Sequence, residues 1–183
     1  MTEKQILFNT EMVRAILSGR KTQTRRIVKN QSLTEECLKK CGKPCYPGDT
    51  LWVRETWTVW SRTFGTMPAF HYKADGEDLK NVKWHPSIHM PKEAARIFLR
   101  VTDICCERLQ DITEQDARAE GLVTDQPEDG RTNINFMCSV DCLQGSARGK
   151  FALLWNSTIK KTDLPRYGWD ANPWVWVISF EKI

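Results

Sequence analysis

The segment GRKTQTRR, from position 19 to position 26, concentrates residues that could do chemistry. It contains two threonines and four cations: Thr22, Thr24, Arg20, Lys21, Arg25 and Arg26. A threonine hydroxyl attacks a carbonyl when a base takes its proton, and a lysine serves as that base when burial or a neighbouring cation lowers its pKa. The same cations could instead bind phosphate or form a solvated strand face with ordinary ion pairs. The segment therefore predicts an active site, a phosphate-binding patch or an exposed surface.

A second group of candidate residues lies on GDTLWVRE. Trp52 could stack on a base while Arg54 and Glu55 hydrogen-bond its edge, as is common in recognition of single-stranded RNA. The alternative makes Trp52 a core aromatic and places Arg54 and Glu55 in a cross-strand ion pair. Asp49, just before this strand, is expected to serve the turn.

The seven cysteines are the candidates for a metal site. An odd number, without a secretory signal, argues against a complete disulfide framework and predicts mostly free thiols. Two loops carry them four residues apart and could bind a tetrahedral zinc ion if they meet: Cys37, Cys41 and Cys45, and Cys138 and Cys142. The alternative is that these cysteines are small apolar residues in variable loops. The chemistry expected of GRKTQTRR requires no cofactor. Whether the cysteines bind a metal is left open by the sequence.

Length and charge limit the function classes. With 183 residues, the chain is expected to form a single domain over 1–183. Its 27 Lys plus Arg against 23 Asp plus Glu give a net charge of only +4, so contact with nucleic acid should be local. No apolar run is long enough to span a membrane, and the start resembles no signal peptide. We expect a cytoplasmic protein with no membrane partner, and the sequence specifies no oligomeric state.

Capping residues and apolar spacing predict the helices that position these segments. Asn9 or Thr10 can cap a helix with one apolar face, and Gly19 ends it. Thr113 begins a second helix, TEQDARAEGL, which has a capping box with Asp116. A third helix is predicted over 150–159.

Alternation predicts the strands. Residues 22–28 and 70–73 form short strands, 51–59 alternate with period two, and 97–105 form another strand. The closing PWVWVISFEKI is apolar almost throughout and predicts a strand covered on both faces, with Trp174 and Trp176 in the core.

Short strands outnumber helices, and the order shows no regular βαβ alternation. This pattern predicts an α+β fold, in the form of a small mixed β-barrel flanked by helices. Loop insertions are expected near 29–47, 61–92 and 123–148.

The ordered segments GRKTQTRR, GDTLWVRE, LQDITEQDARAEG and the closing apolar strand resemble the ASCH domain family, whose fold is a β-barrel related to PUA domains. GRKTQTRR, GDTLWVRETW and WDANPWVWVISF in particular resemble the longer ASCH proteins met in phage and prophage genomes. The resemblance extends over most of the chain. The three predicted insertions are the departures from small family members.

The resemblance implies a domain that acts on RNA or a modified nucleoside. Small bacterial members are amidohydrolases that remove the acetyl group from acetylcytidine, and their lysine, threonine and glutamate match Lys21, Thr24 and Glu120 here. Arg26 also matches the pattern, as a residue of the cleft. Because Lys21 and Thr24 are three apart on a strand, they tend towards opposite faces, so the backbone must bend to bring them together.

Three functions follow as hypotheses. The first is an amidohydrolase that acts on an acylated nucleobase; the second is a non-catalytic RNA-binding module; the third is a ribonuclease. The hydrolase ranks first because a pure binder needs positive charge but does not need Glu120 at the matching position.

Overall fold

A computed structural model describes most of the chain: residues 2–32, 36, 42–60, 69–76, 79, 81–123 and 145–183. The described chain forms two compact units. Unit 1 comprises Met1–Gly19, Cys45–Thr102 and Phe180–Ile183, and unit 2 comprises Arg20–Pro44 and Asp103–Ser179. Large parts of the predicted insertions lie outside the described residues. So do four of the five cysteines in the zinc prediction, Cys37, Cys41, Cys138 and Cys142.

Seven strands and four α-helices make up the described architecture. The strands are β1 (Glu3–Leu7), β2 (Gln23–Ile27), β3 (Thr50–Arg54), β4 (Trp57–Trp60), β5 (Ala69–Tyr72), β6 (Phe98–Arg108) and β7 (Trp174–Lys182). The helices are α1 (Thr10–Leu17), α2 (Glu114–Ala119), α3 (Ala147–Thr158) and α4 (Leu164–Tyr167). Short 3-10 helices cover Lys73–Asp75, Ser87–His89, Lys92–Ala94, Leu109–Asp111 and Lys161–Asp163. No helix in the described ranges is both long and apolar enough to cross a membrane.

The α+β prediction is confirmed, but the predicted barrel is wrong. Five strands form one sheet in the order β1-β3-β6-β7-β2, and β4 and β5 form a separate pair. Among the described residues no pairing joins the end strands β1 and β2, so the sheet is open. The alternation that predicts strands does not specify which edges meet.

In unit 1, the capping residue of α1 is predicted correctly, whereas the strand predicted over 51–59 is not continuous. Asn9 caps α1 by accepting a 2.8 Å hydrogen bond from the Met12 amide, as predicted. The strand predicted over 51–59 is divided into β3 and β4. Glu55 lies at the break, where its amide points at the Met90 sulfur, 3.1 Å away, and its carboxylate pairs with Arg96. The ion pair between the buried Glu55 carboxylate and the partly exposed Arg96 therefore lies where the strand breaks, although the alternation in the sequence continues.

Asp49 serves the turn, as predicted, and also holds the N-terminal strand of unit 1. Its carboxylate accepts hydrogen bonds from the amides of Thr2, at 2.8 Å, and Tyr46, at 3.1 Å. The Lys4 ammonium lies 3.4 Å from the same group. The hydrogen bond from the Thr2 backbone is the main reason that the pKa of Asp49 falls to about 2. Asp49 therefore connects the start of β1 to the turn before β3.

This connection gives a first prediction. Because the pKa of Asp49 is about 2 in the folded protein and 3.8 ordinarily, its stabilising effect is complete above the ordinary value and is lost as the pH falls towards 2. We expect Asp49→Asn to lower the melting temperature by a few degrees at neutral pH and to differ less from the parent as the solution is acidified. Thermal unfolding followed by circular dichroism across this range measures the difference. If the melting temperature of Asp49→Asn lies as far below that of the parent near pH 2 as at neutral pH, the negative charge of Asp49 is not what stabilises the fold.

The core of unit 2 packs α2 and α3 against the start of β7. Its buried side chains are Leu109, Ile112, Ala117, Ala147, Phe151, Trp155 and Val175. Helix α3 begins at Ala147, three residues before the predicted start, because Ser146 caps it and Glu114 accepts the amides of Ala147 and Arg148. This contact between α2 and α3 joins two helices that are far apart in the sequence.

Strand β7 is covered on both faces over its central residues. Val175, Trp176, Val177 and Ile178 are all buried, which confirms the prediction for the closing apolar run. Trp176 is a core aromatic as predicted, whereas Trp174 is half-buried under the guanidinium of Arg108, 4.3 Å from its ring centre. Strand β2 pairs antiparallel with this segment, and Thr24 lies opposite Ile178. The buried strand β7 therefore fixes the backbone of the GRKTQTRR segment.

Candidate active site

Helix α2 and the residues before β2 form the centre of the site in unit 2. The predicted capping box is present: Thr113 accepts from the Asp116 amide at 3.1 Å, and Asp116 accepts from the Thr113 amide at 3.2 Å. The helix ends at Ala119 with Glu120 as its C-cap, and Gly121 follows with a φ of 95°, in the left-handed region that favours glycine. The Thr22 amide donates to the Ala119 carbonyl at 2.8 Å. Lys21 and Glu120 therefore face each other across a short antiparallel bridge.

Lys21 and Glu120 form a buried ion pair. The Lys21 side chain is 0% exposed and that of Glu120 is 4% exposed, and Lys21 Nζ lies 2.5 Å from Glu120 Oε2. Nζ also donates to the backbone carbonyls of Glu120, at 2.9 Å, and Gln23, at 2.7 Å. A cation at this helix end also interacts favourably with the helix dipole, which compensates for the carboxylate placed there. The pair is thus held by both main-chain and side-chain contacts.

Burial and the nearby charges shift the pKa of Lys21. Removal from water lowers the pKa of Lys21, and the negative charge of Glu120 opposes this effect. The nearby charges of Arg26 and Arg25 lower the pKa of Lys21 further. A lysine with a lowered pKa loses its proton more readily and can then act as a base. The buried amine of Lys21 and the buried carboxylate of Glu120 therefore lie within hydrogen-bond distance of each other.

Thr24 is buried, with an exposed fraction of 1%, and lies on β2 opposite Ile178. The carbonyl that accepts from Lys21 Nζ belongs to Gln23, so the amine contacts the peptide group that joins Gln23 to Thr24. The bend expected between Lys21 and Thr24 corresponds to a break in the strand, because β2 begins only at Gln23. The role of Thr24 as nucleophile stays a prediction.

Arg25 links the pair to two further carboxylates. Its Nη1 donates to Glu120 Oε1 at 3.2 Å, and its Nε donates to Glu107 Oε1 at 2.8 Å. Its Nη2 lies 3.8 Å from Asp116 Oδ2. The Arg25 side chain is 1% exposed, so the interpretation of this residue as part of a solvated face is wrong. Arg20, by contrast, is exposed and donates to the Gly121 carbonyl at 3.3 Å.

Arg26 is half-buried and donates to the Arg25 carbonyl at 3.2 Å. Burial lowers the pKa of Arg26, and the charge of Glu120 opposes that effect, so the two groups interact electrostatically. Arg26 therefore belongs to the surroundings of the Lys21–Glu120 pair.

The other predicted binding residues lie in unit 1. The Arg54 guanidinium is 5.6 Å from the ring centre of Trp52, and it donates to Gln5 Oε1 at 2.7 Å and to the Ile88 carbonyl. Glu55 is 1% exposed and accepts two hydrogen bonds from Arg96, at 2.9 and 3.0 Å. Its carboxylate is thus engaged inside the protein, and a contact of Trp52, Arg54 or Glu55 with substrate stays a prediction.

No protein-family model matches the sequence, and no curated protein is significantly similar to it. Among solved structures, the chain is similar to the crystal structure of an ASCH domain from Lactobacillus crispatus JV V101. The identity is 14%, the alignment covers 99% of this chain and 79% of the other, and the TM-score is 0.42. At this level of similarity, the chemistry of the site rests on its own residues.

Sequence reasoning missed Glu107 and the inward position of Arg25. Residues 21, 23 and 25 have odd numbers, and alternation along an extended chain would place them on one face. Alternation could therefore have indicated the inward position of Arg25. No residue near Glu107 in the sequence indicates that it pairs with Arg25. Of the cysteines, Cys45, Cys105 and Cys106 are described, and none of these three forms a disulfide bond. In the described part of the chain no group of three possible metal ligands occurs.

Proposed function

We propose that this protein is an amidohydrolase that removes an acyl group from a modified nucleobase or nucleoside, with acetylcytidine as the first substrate to test. The observation that supports the proposal is the buried Lys21–Glu120 contact of 2.5 Å next to the Thr24 peptide group. Two buried groups that exchange a proton are what acyl transfer by a threonine requires. The proposal assigns Lys21, Thr24 and Glu120 as the catalytic residues.

The first half of the reaction transfers the acyl group to the protein. The Thr24 oxygen attacks the amide carbon, and the neutral amine of Lys21 takes the hydroxyl proton. A carbon–oxygen bond forms as the carbon–nitrogen bond breaks. The proton passes from Lys21 to Glu120 and on to the departing nitrogen, so the nucleoside leaves with a free amino group.

The second half returns the protein to its starting state. Glu120 takes a proton from water, and the resulting hydroxide attacks the acyl ester on Thr24. The ester bond breaks, Thr24 recovers its proton, and the acid leaves. Atoms and protons balance over the two halves, and neither half requires a metal or another cofactor.

The binding-module hypothesis is less well supported by the site. A phosphate-binding patch needs cations that can reach the ligand, and Lys21 and Arg25 are instead buried against carboxylates. Of the four cations in GRKTQTRR, Arg20 is the exposed one. Because two of these cations are neutralised by carboxylates inside the protein, the site supports the hydrolase hypothesis better than the RNA-binding hypothesis.

Removal of the Thr24 hydroxyl tests the proposal. We expect the parent to release acetate from acetylcytidine, and we expect Thr24→Val to lower the rate roughly 10³-fold or more because the nucleophile is absent. Thr24→Ser retains the hydroxyl and should keep measurable activity. Chromatography of the nucleoside over a panel of acylated nucleosides measures both.

The matched control is Thr162→Val, at an exposed threonine of unit 2, which should turn over like the parent. Full activity in Thr24→Val would refute its role as nucleophile. If the parent acts on no acylated nucleoside but binds single-stranded RNA in a salt-dependent way, the protein is a binding module. If it cuts the RNA, it is a ribonuclease.

A further inference from the structure

Arg25 contacts three carboxylates among the described residues of unit 2. Its guanidinium lies within 3.8 Å of carboxylates from β6 and from the α2 region: Glu107, Asp116 and Glu120. The Phe151 ring of α3 lies on another side, with its centre 5.8 Å from the guanidinium carbon. A planar group with five donors can hold several carboxylates in fixed directions, which an ammonium group cannot. Arg25 is thus built into the site from three elements.

The two oxygens of Glu120 are divided between two cations. Oε2 contacts Lys21 Nζ at 2.5 Å, and Oε1 contacts Arg25 Nη1 at 3.2 Å. A carboxylate held at both oxygens cannot rotate away from either partner without losing a charged hydrogen bond. Glu107 in turn holds Arg25, through a 2.8 Å bond to Nε and a 2.7 Å approach to Nη2. The orientation of Glu120 towards Lys21 therefore depends on a residue that does not contact Lys21.

We propose that Arg25 is a positioning residue for the Lys21–Glu120 pair. By holding Oε1 of Glu120 it keeps Oε2 on the Lys21 amine, and its positive charge favours the neutral form of that amine. What the amine does to a substrate rests on the proposed function, but the coupling between Arg25 and Lys21 belongs to the resting protein.

The charges around Lys21 determine the sign of the effect. Arg25 and Arg26 repel a proton on Lys21, and Glu120 attracts it. Loss of Arg25 removes one positive charge that repels the proton on Lys21. It also removes the cation that shares the Glu120 carboxylate with Lys21, so the pKa of Lys21 rises. Loss of the Glu107 charge leaves the positive charge of Arg25 less compensated, so the pKa of Lys21 falls. Asp116, near Arg25, and Asp111, near Glu107, are unchanged in both variants.

Two substitutions with opposite signs therefore test the proposal. We expect Arg25→Met to raise the titration midpoint of the Lys21 amine by roughly one pH unit, and Glu107→Gln to lower it by less. Arg25→Lys keeps the charge but loses the planar guanidinium that holds Glu120, so its midpoint should lie between those of the parent and Arg25→Met. NMR titration of the lysine side-chain signals measures the Lys21 midpoint in the parent and in each variant. The Lys21 signal is assigned by its absence in Lys21→Met.

Glu107→Gln and Arg25→Lys keep the proposal testable if Arg25→Met does not fold. A purely structural role would lower stability in these variants without moving the midpoint, and unmoved midpoints in folded variants would overturn the proposal. Acetylcytidine turnover separates the coupling between Arg25 and Lys21 from the proposed function. If both hold, the acid limb of the pH–rate profile should move to higher pH in Arg25→Met. Midpoints that move in a protein without turnover would support the coupling and refute the proposed function.

Discussion

Replacing Lys21 with methionine is expected to abolish deacylation and to destabilise the fold. The rate should fall roughly 10²- to 10⁴-fold because the base is lost. The free energy of unfolding should fall by about 3–5 kcal/mol, because Glu120 then stays buried without its closest partner. Urea unfolding and acetylcytidine turnover measure the two effects.

A second variant separates the two effects. In Lys21→Met with Glu120→Gln both charges of the pair are removed, so most of the lost stability should return while activity stays absent. The matched control Lys160→Met changes an exposed lysine of unit 2 and should alter stability by about 0.5 kcal/mol or less. A double variant with parental activity would show that the pair is only structural. Unchanged stability in Lys21→Met alone would contradict its burial.

Replacing Arg96 with methionine is expected to have the next largest effect, in unit 1. Glu55 is 1% exposed, and Arg96 donates two hydrogen bonds to it, a third to Asp75, and stacks 3.9 Å from the centre of the Tyr72 ring. Because the variant leaves Glu55 buried without its cation, we expect stability to fall by roughly 3 kcal/mol at neutral pH.

The loss should depend on pH, with a definite sign. Burial raises the pKa of Glu55 in the parent, and Arg96 opposes that rise. Without Arg96 the pKa rises further, so the folded variant keeps a proton that the unfolded chain has already lost. Its stability therefore falls as the pH rises from the ordinary range of a glutamate through the raised pKa, and it recovers on acidification.

Urea unfolding at about pH 5 and about pH 8 measures this difference. Arg100→Met, at an exposed arginine 3.7 Å from Glu181, is the matched control and should cost less than about 1 kcal/mol at either pH. A loss in Arg96→Met that is the same at both pH values would show that lost packing on Tyr72, not the Glu55 charge, dominates.

The sequence alone determined the elements whose signals are local. Asn9 and Thr113 indicated their helices because a capping side chain acts on amides two or three residues away. The apolar run at 175–178 indicated a buried strand because every position in it avoids water. The α+β class follows from such signals, and the concentration of four cations in the eight residues of GRKTQTRR made this segment a candidate site.

Only the tertiary structure decided which charges meet. Lys21 and Glu120 are 99 residues apart, and their contact depends on where α2 ends relative to β2. The resemblance to a family named both residues, but nothing local joins them. The partners of Arg25 and of Glu55 were invisible in the sequence for the same reason, since Glu107 and Arg96 lie 82 and 41 residues away. Alternation also predicted one strand over 51–59, because it reports which face of a strand is buried and not where an ion pair interrupts the strand. The number and order of short strands predicted a small mixed barrel, but they do not specify which edges of the sheet meet.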